Sequence, residues 1–304
     1  MNLEYESEAP PRKQAPKVSV VIPSLGGKSL EETISCIYQS TFSVHEIIVV
    51  LPTDHEFLAR SQFSDKLKVL HAGRKGQVYQ RSIGFEAASG ELVLQLDDDF
   101  KFDSDVLDVL VQTLLALGPG HVISPLYRDS LTGIFSESDH RLIGGLRSVY
   151  LSLLGGLPRG KEKFGAFSPL TCSLGVCLKY LDSPLHKVGW LPGGFVFQYS
   201  CDLIHGNFYP FQGKAYGEDL LHSELRRVRG LRQFIVSEVF VYTRLAHQGV
   251  PSRRENSRVA LLLSGLHVLH RRWEIANLLH ARKSSMYLYF SVELLGLLIR
   301  TVRA

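Results

Sequence analysis

The chain has 304 residues, 45% of them hydrophobic and 21% charged, with a formal net charge of +4. That length suits one elaborated domain or a domain with an appendage, and the apolar–charged balance excludes a wholly disordered or fibrous chain. Cys36, Cys172, Cys177 and Cys201 lack zinc-type spacing and read as ordinary buried thiols of a reducing compartment, without chemistry of their own.

Residues 1–16 carry Glu4, Glu6, Glu8 and three prolines but no secretory apolar stretch, so a disordered tail on a cytosolic protein is expected. Val18–Ile22 reads as a strand that enters a turn at Pro23-Ser24-Leu25-Gly26-Gly27. Leu30, Ile34, Ile37 and Tyr38 then recur at helical spacing. Glu46–Val50 and Lys68–Leu70 read as strands, Gln77–Ala88 as a helix closed by Gly90, and Glu91–Leu96 as a buried strand. Val106, Leu107, Leu110, Leu114 and Leu117 mark a helix ending at Gly118-Pro119, before a strand at Val122-Ile123. The alternation predicts an α/β fold with a mainly parallel central sheet flanked by helices. Neither G-x-G-x-x-G nor G-x-x-x-x-G-K-[ST] is present, which removes the strongest dinucleotide and P-loop signatures. Gly26-Gly27 either serves the turn or lets backbone approach a nucleotide.

The strand Leu92-Val93-Leu94-Gln95-Leu96 runs directly into Asp97-Asp98-Asp99. Three adjacent acids repel one another unless solvent or a cation neutralises them, and the carboxyl end of a strand is where an open α/β sheet gathers ligands. They form either a metal site or an acidic start for the following helix. A second acidic pair, Glu218-Asp219, follows Gly217 at another helix start, as an acceptor-side base or as first-turn acids that complement the helix dipole. Leu191-Pro192-Gly193-Gly194 is a turn whose missing side chains would allow close approach of a ligand. Trp190 before it is either a stacking surface or core. His247 and Arg253-Arg254 follow a strand at Val239–Thr243.

The segments Val18-Ser19-Val20-Val21-Ile22-Pro23, Gly76–Gly84, Leu96–Asp99, Leu191–Gly194 and Gly217-Glu218-Asp219, in this order, resemble the inverting glycosyltransferases of family 2. The resemblance implies a GT-A, Rossmann-like fold and a nucleotide-sugar donor. It implies Mg²⁺ or Mn²⁺ held by Asp97, Asp99 and His247, since a hard cation with oxygen ligands stabilises a departing diphosphate. It further implies donor contacts from Pro23, Ser24, Asp54, Gln77, Arg81, Asp97, Asp98, Gly193 and Gly194, with Asp219 as base and Glu218 orienting the acceptor or sharing that role. Arg81 also reads as a solvated helix charge, and His247 as a structural histidine. The second strand lacks the family's usual Asp-rich turn, and Asp54 stands in a displaced position, which leaves the base of the donor open. The expected activity is sugar transfer to a glycan or lipid-linked acceptor in surface polysaccharide assembly. The alternatives are a non-catalytic nucleotide-sugar or glycan-binding protein on the same scaffold, or a nucleotidyltransferase.

Residues 17–250 are expected to form the catalytic domain, 17–125 its nucleotide-sugar half and 126–250 its acceptor half, with Tyr127–Pro169 suited to a loop closing over the donor. Residues 251–304 hold nine Arg or Lys against three Glu, a charge of +6, which leaves −2 on the remainder. This segment is expected to be a basic amphipathic helical appendage. Its apolar run, Met286–Ile299, falls short of the roughly 20 residues a spanning helix needs. It either packs on the domain, mediates homo-oligomerisation or makes peripheral contact with the inner face of the plasma membrane. No nucleic-acid motif accompanies the charge.

Overall fold

The computed structural model describes residues 15–57, 63, 65–129, 146–212, 215–243 and 258–303. In chain order the elements are β1 (Val18–Pro23), α1 (Lys28–Tyr38), β2 (Glu46–Pro52), β3 (Leu67–Ala72), α2 (Gln77–Ala87), β4 (Leu92–Leu96), β5 (Lys101–Phe102), α3 (Val106–Leu117), β6 (His121–Asp129), α4 (Leu146–Leu153), β7 (Leu185–Val188), β8 (Phe195–Tyr199), α5 (Glu218–Val228), β9 (Arg232–Thr243), α6 (Arg258–Leu278) and α7 (Lys283–Arg303).

Every residue of β1, β2 and β4 is buried. Their continuous apolar runs therefore belong to parallel strands covered on both faces. On one face Leu30, Ile34 and Ile37 of α1 pack on Val18, Val20, Ile47, Val49 and Leu94. On the other, Phe85 of α2 packs on Val21, Ile48, Val50 and Val93. The helix α2 lies so close that a Cβ on Gly84 would overlap Val21 Cγ1. Glu46, at the start of β2, is 2% exposed. It accepts hydrogen bonds from Ser19 Oγ (2.7 Å), Ser89 N (2.7 Å), Ser89 Oγ (2.6 Å) and Lys68 Nζ (2.6 Å). Burial pushes its carboxyl up, but these four donors outweigh it and hold the pKa at about 2.

The sheet order is β3-β2-β1-β4-β8-β6-β9-β5, with β7 beside β9. The parallel pairing expected from the sequence holds across β3, β2, β1 and β4, and again between β6 and β9. The second half is mixed, because β8 enters antiparallel between β4 and β6. Gly90 does not close α2. The helix ends at Ala87, and Gly90 instead lies against the β1 backbone, where a Cβ would be 2.6 Å from Ser19 N. Cys172 and Cys177 are buried as expected, whereas Cys36 is half-buried and Cys201 exposed.

A second core joins α4 and the segment after it to the C-terminal hairpin. Leu151, Leu157, Leu170 and Cys172 pack on Ala276, Met286, Tyr289 and Phe290. Arg272 of α6 pins it, donating to Thr171 Oγ1 (3.2 Å) and to Tyr289 Oη (2.7 Å). Of the expected closing loop, Tyr127–Asp129 belong to β6 and Leu151 and Leu157 pack on the hairpin, while 130–145 lie outside the described residues, as do 1–14. The helix α7 is longer than its apolar run. Lys283–Val302 is 20 residues with a mean hydropathy of 1.3, long and apolar enough to cross a membrane by length and composition, and 28% of its best stretch is buried in the fold.

Candidate functional site

The carboxyl end of β4 delivers Asp97, Asp98 and Asp99 to the edge of the sheet where β1 ends in Pro23 and Ser24. They do not start the following helix, which begins farther on, at Val106, with β5 in between. Ser24, 4% exposed, donates its hydroxyl to Asp98 Oδ2 and accepts from Gly26 N (2.9 Å). This hydrogen bond, together with the positive φ of Gly26 (83°) and Gly27 (110°), fixes the turn after β1.

The N-terminus of α2 reaches the same edge. Gln77 Nε2 donates to Asp97 Oδ1 (2.9 Å). Arg81, 1% exposed, donates through Nη2 to Asp97 Oδ1 (3.2 Å) and through Nη1 to both oxygens of Glu218 (3.1 Å each). Burial works against this cation, but Glu218 and Asp97 outweigh it and hold the guanidinium charged. Arg81 is therefore a buried bridge between β4 and α5 and not a solvated helix charge.

The glycine turn sits between the two acidic motifs. Asp97 N donates to Gly194 O (2.7 Å), and Gln95 Nε2 donates to Gly193 O. A Cβ on Gly193 would overlap the Glu218 carboxylate. One on Gly194 would come within 2.7 Å of Phe100 Cε2 and 3.0 Å of Asp97 Oδ2. Only residues without side chains let β8 pass this close to both acids. Gly217 adopts the left-handed conformation (φ 71°) and starts α5 with no side-chain cap, so Glu218 and Asp219 themselves form its first turn. Trp190 donates through Nε1 to Leu174 O (3.0 Å), which fixes it within the fold beside the turn.

Burial, with carboxylate crowding added to it, sets the electrostatics. Burial pushes Asp97 up to about 6, with Arg81 opposing and Glu218 and Asp99 adding to the shift. Burial also raises Asp98, and Ser24 opposes it. Asp219 is pushed up to about 7 by burial and by the neighbouring Glu218. Asp99 accepts from Thr243 Oγ1 (3.0 Å) at the end of β9. Asp54 stands apart at the surface, paired with His55 Nδ1 (2.9 Å) and Lys75 Nζ (3.3 Å), which hold its carboxyl below the usual range. His247, Arg253 and Arg254 lie outside the described residues.

No group of three His, Cys, Asp or Glu side chains able to enclose a metal occurs among the described residues. The oxygen-only set at the end of β4 nevertheless fits Mg²⁺ or Mn²⁺. Such ions commonly take one or two carboxylates and complete their shell with substrate phosphates and water. Asp99 and Asp97 are the groups that would hold one.

Sequence reasoning missed Gln95 and the partners behind the site. Gln95 carries a readable signal, a single amide in an otherwise apolar strand. Behind Glu218 lie His222 (0% exposed) and Arg226 (1% exposed). Both His222 nitrogens, and Nε and Nη2 of Arg226, find no hydrogen-bond partner among the described residues. Burial and the charge of Arg226 keep His222 neutral.

The family model described as Glycosyl transferase family 2 matches residues 19–167. The glucosyl-dolichyl phosphate glucuronosyltransferase of Haloferax volcanii is 29% identical over 140 residues, 42% of this chain and 45% of that protein. The crystal structure of GalNAc-T7 with UDP, GalNAc and Mn²⁺ superposes with a TM-score of 0.53 at 15% identity, covering 86% of this chain and 50% of that one. That likeness is one of fold. The chain spans about half the length of the relatives it matches.

Proposed function

We propose that the chain, whose residues 19–167 match the glycosyl transferase family 2 model, is a transferase of that kind and moves a sugar, with inversion, from a nucleoside-diphosphate donor to a lipid-linked or glycan acceptor at a membrane surface. The observation that carries the reading is the convergence of the β4 acids and the α5 acids on one guanidinium. Arg81 and Glu218 are 137 positions apart in sequence, and the glycine turn fills the space between the motifs.

In this reading Ser24, Asp97 and Asp98 position the donor. A divalent cation bound at Asp99 and Asp97 would neutralise the departing diphosphate. Asp219 accepts the acceptor's hydroxyl proton as that oxygen bonds to the anomeric carbon and the bond from carbon to diphosphate oxygen breaks. Transfer is favoured once Asp219 is ionised, and a pKa near 7 lets it serve as a base at neutral pH. Glu218, fixed by Arg81, orients the acceptor and adds negative charge beside the base. Intact carboxylates in both motifs support an enzyme over a binding protein on the same scaffold. The Haloferax relative, named for a dolichyl-phosphate-linked sugar, supports a lipid-phosphate acceptor, and surface polysaccharide assembly at the cytoplasmic face is the setting we infer.

The test is acceptor-dependent release of nucleoside diphosphate from a panel of UDP-, GDP- and dTDP-sugars, with polyprenyl phosphates and their glycosylated forms as acceptors. Metal-dependent release that disappears in Asp219→Asn, with the anomeric configuration inverted in the product, is the expected result. Donor binding without acceptor-dependent release across the panel contradicts transfer and favours a binding protein.

A further inference from the structure

Among the described residues, one end of the α6–α7 hairpin is only partly covered by the fold. From Arg258 to His270 no side chain of α6 is buried, whereas Arg271, Ile275 and Ala276 further along are. On the facing part of α7, Glu293 to Val302, only Leu297 and Thr301 are buried, and Leu297 packs against Gly265 of α6. The surface left over is apolar. Val259 is 64% exposed, Leu263 61%, Leu295 58% and Val302 72%, with Leu266 and Leu298 between them. A continuous apolar surface of this kind marks a contact with another phase or partner.

The charge around it is of one sign. Residues 258–270 and 294–303 contain no Asp or Glu, while exposed Arg258 and Arg300 lie at the same end of the antiparallel pair. We propose that this end of the hairpin lies flat on an anionic bilayer, with its leucines at the acyl boundary and its arginines among lipid phosphates.

Two other arrangements conflict with the packing. Crossing the bilayer would strip α7 from the fold, breaking the hydrogen bonds from Arg272 to Tyr289 (2.7 Å) and from Tyr150 to Glu293 and exposing Met286, Tyr289 and Phe290. A symmetric pairing of two copies through this end would bring like charges together at Arg258 and Arg300. The lipid contact also has a route to the site. Further along α6, Arg271 donates to Tyr209 Oη (3.3 Å) and Gln212 O (3.1 Å), and Ile275 packs at Gly217, the residue that starts α5. The bilayer contact thereby holds the catalytic helix near lipid. The inference rests on the proposed function only for the statement that the acceptor is lipid-linked.

The experiment is cosedimentation of the full chain with vesicles of phosphatidylcholine alone and of equal parts phosphatidylcholine and phosphatidylglycerol. Binding to the mixed vesicles, about tenfold weaker to phosphatidylcholine alone and reversed by high salt, is expected. Leu263→Glu combined with Leu295→Glu should abolish it, and Arg258→Glu combined with Arg300→Glu should weaken it about tenfold or more. Both variants should keep the wild-type melting temperature and nucleotide binding, since these side chains face away from the fold. No binding, or equal binding by all three proteins, overturns the proposal. So does a dimer that the leucine variant dissolves, or membrane retention through an alkaline carbonate wash, which would mean that α7 spans. Loss of vesicle binding with nucleotide binding intact defeats the docking alone. Absent nucleotide binding defeats the transferase reading instead.

Discussion

Asp219 occupies the first turn of α5, half-exposed, with its carboxyl pushed up to about 7 by burial and by Glu218. As the proposed base it works only when ionised, so turnover should rise with pH through a midpoint near 7 and then level off. The same shift sets stability. The folded state favours the protonated acid, so its contribution is fully present below the unfolded value of 3.8 and is lost as pH rises through about 7. Asp219→Asn should therefore reduce transfer by about 10³-fold or more while leaving donor binding intact. It should also stabilise the protein by about 2 kcal/mol at pH 8, discounted for partial exposure, with no gain near pH 3.5. Chemical denaturation at the two pH values checks the sign. Arg81 behaves oppositely. Removing it leaves Asp97 and Glu218 crowded and uncompensated, so Arg81→Ala should cost about 3–5 kcal/mol in urea unfolding.

At the scale of elements, the glycine turn before β8 is what permits the acids of β4 and α5 to share a site. Gly193→Ala forces a methyl group into the Glu218 carboxylate and should destabilise the fold by about 1–3 kcal/mol and reduce transfer. Gly73→Ala, where a Cβ meets nothing within 4 Å, should be neutral in the same assays. The strands are tied at their other end by Glu46. Its depressed pKa contributes stability that is present above about 4.5 and is lost as pH falls through about 2. Glu46→Gln should accordingly cost about 2 kcal/mol at pH 7, with the difference from wild type vanishing near pH 2. The first four strands were legible because a strand buried on both faces is a continuous apolar run. The insertion of β8 was not, because the pairing of Leu94 with Phe197 joins segments that nothing local connects. The acidic motifs stood out as charges at strand and helix ends. Arg81 did not, because its meaning lies in Glu218, 137 positions away. The length of α7 was underestimated for a related reason. Its polar ends join the helix through packing on α6, so the apolar run alone did not set its limits.

Taken whole, the molecule builds the site and the hairpin on separate hydrophobic clusters. The sheet core positions β1, β4 and the Asp97–Asp99 acids, the α4–α6–α7 core holds the hairpin, and a smaller cluster of Val78, Tyr209, Leu221 and Ile275 joins α6 to α5. The proposed donor site and the proposed lipid contact are in this way built on different parts of the chain and should be separable by mutation. The central claim is that the β4 acids form a metal-dependent site for a nucleoside diphosphate. Calorimetric titration of the full chain with UDP, GDP and dTDP, each with and without Mn²⁺, tests it most directly. One nucleotide should bind with Mn²⁺, at least tenfold more weakly without it, with binding lost in Asp99→Ala and retained in Asp219→Asn. Folded protein that binds none of the three with metal present, or binds one equally well in Asp99→Ala, would contradict the account.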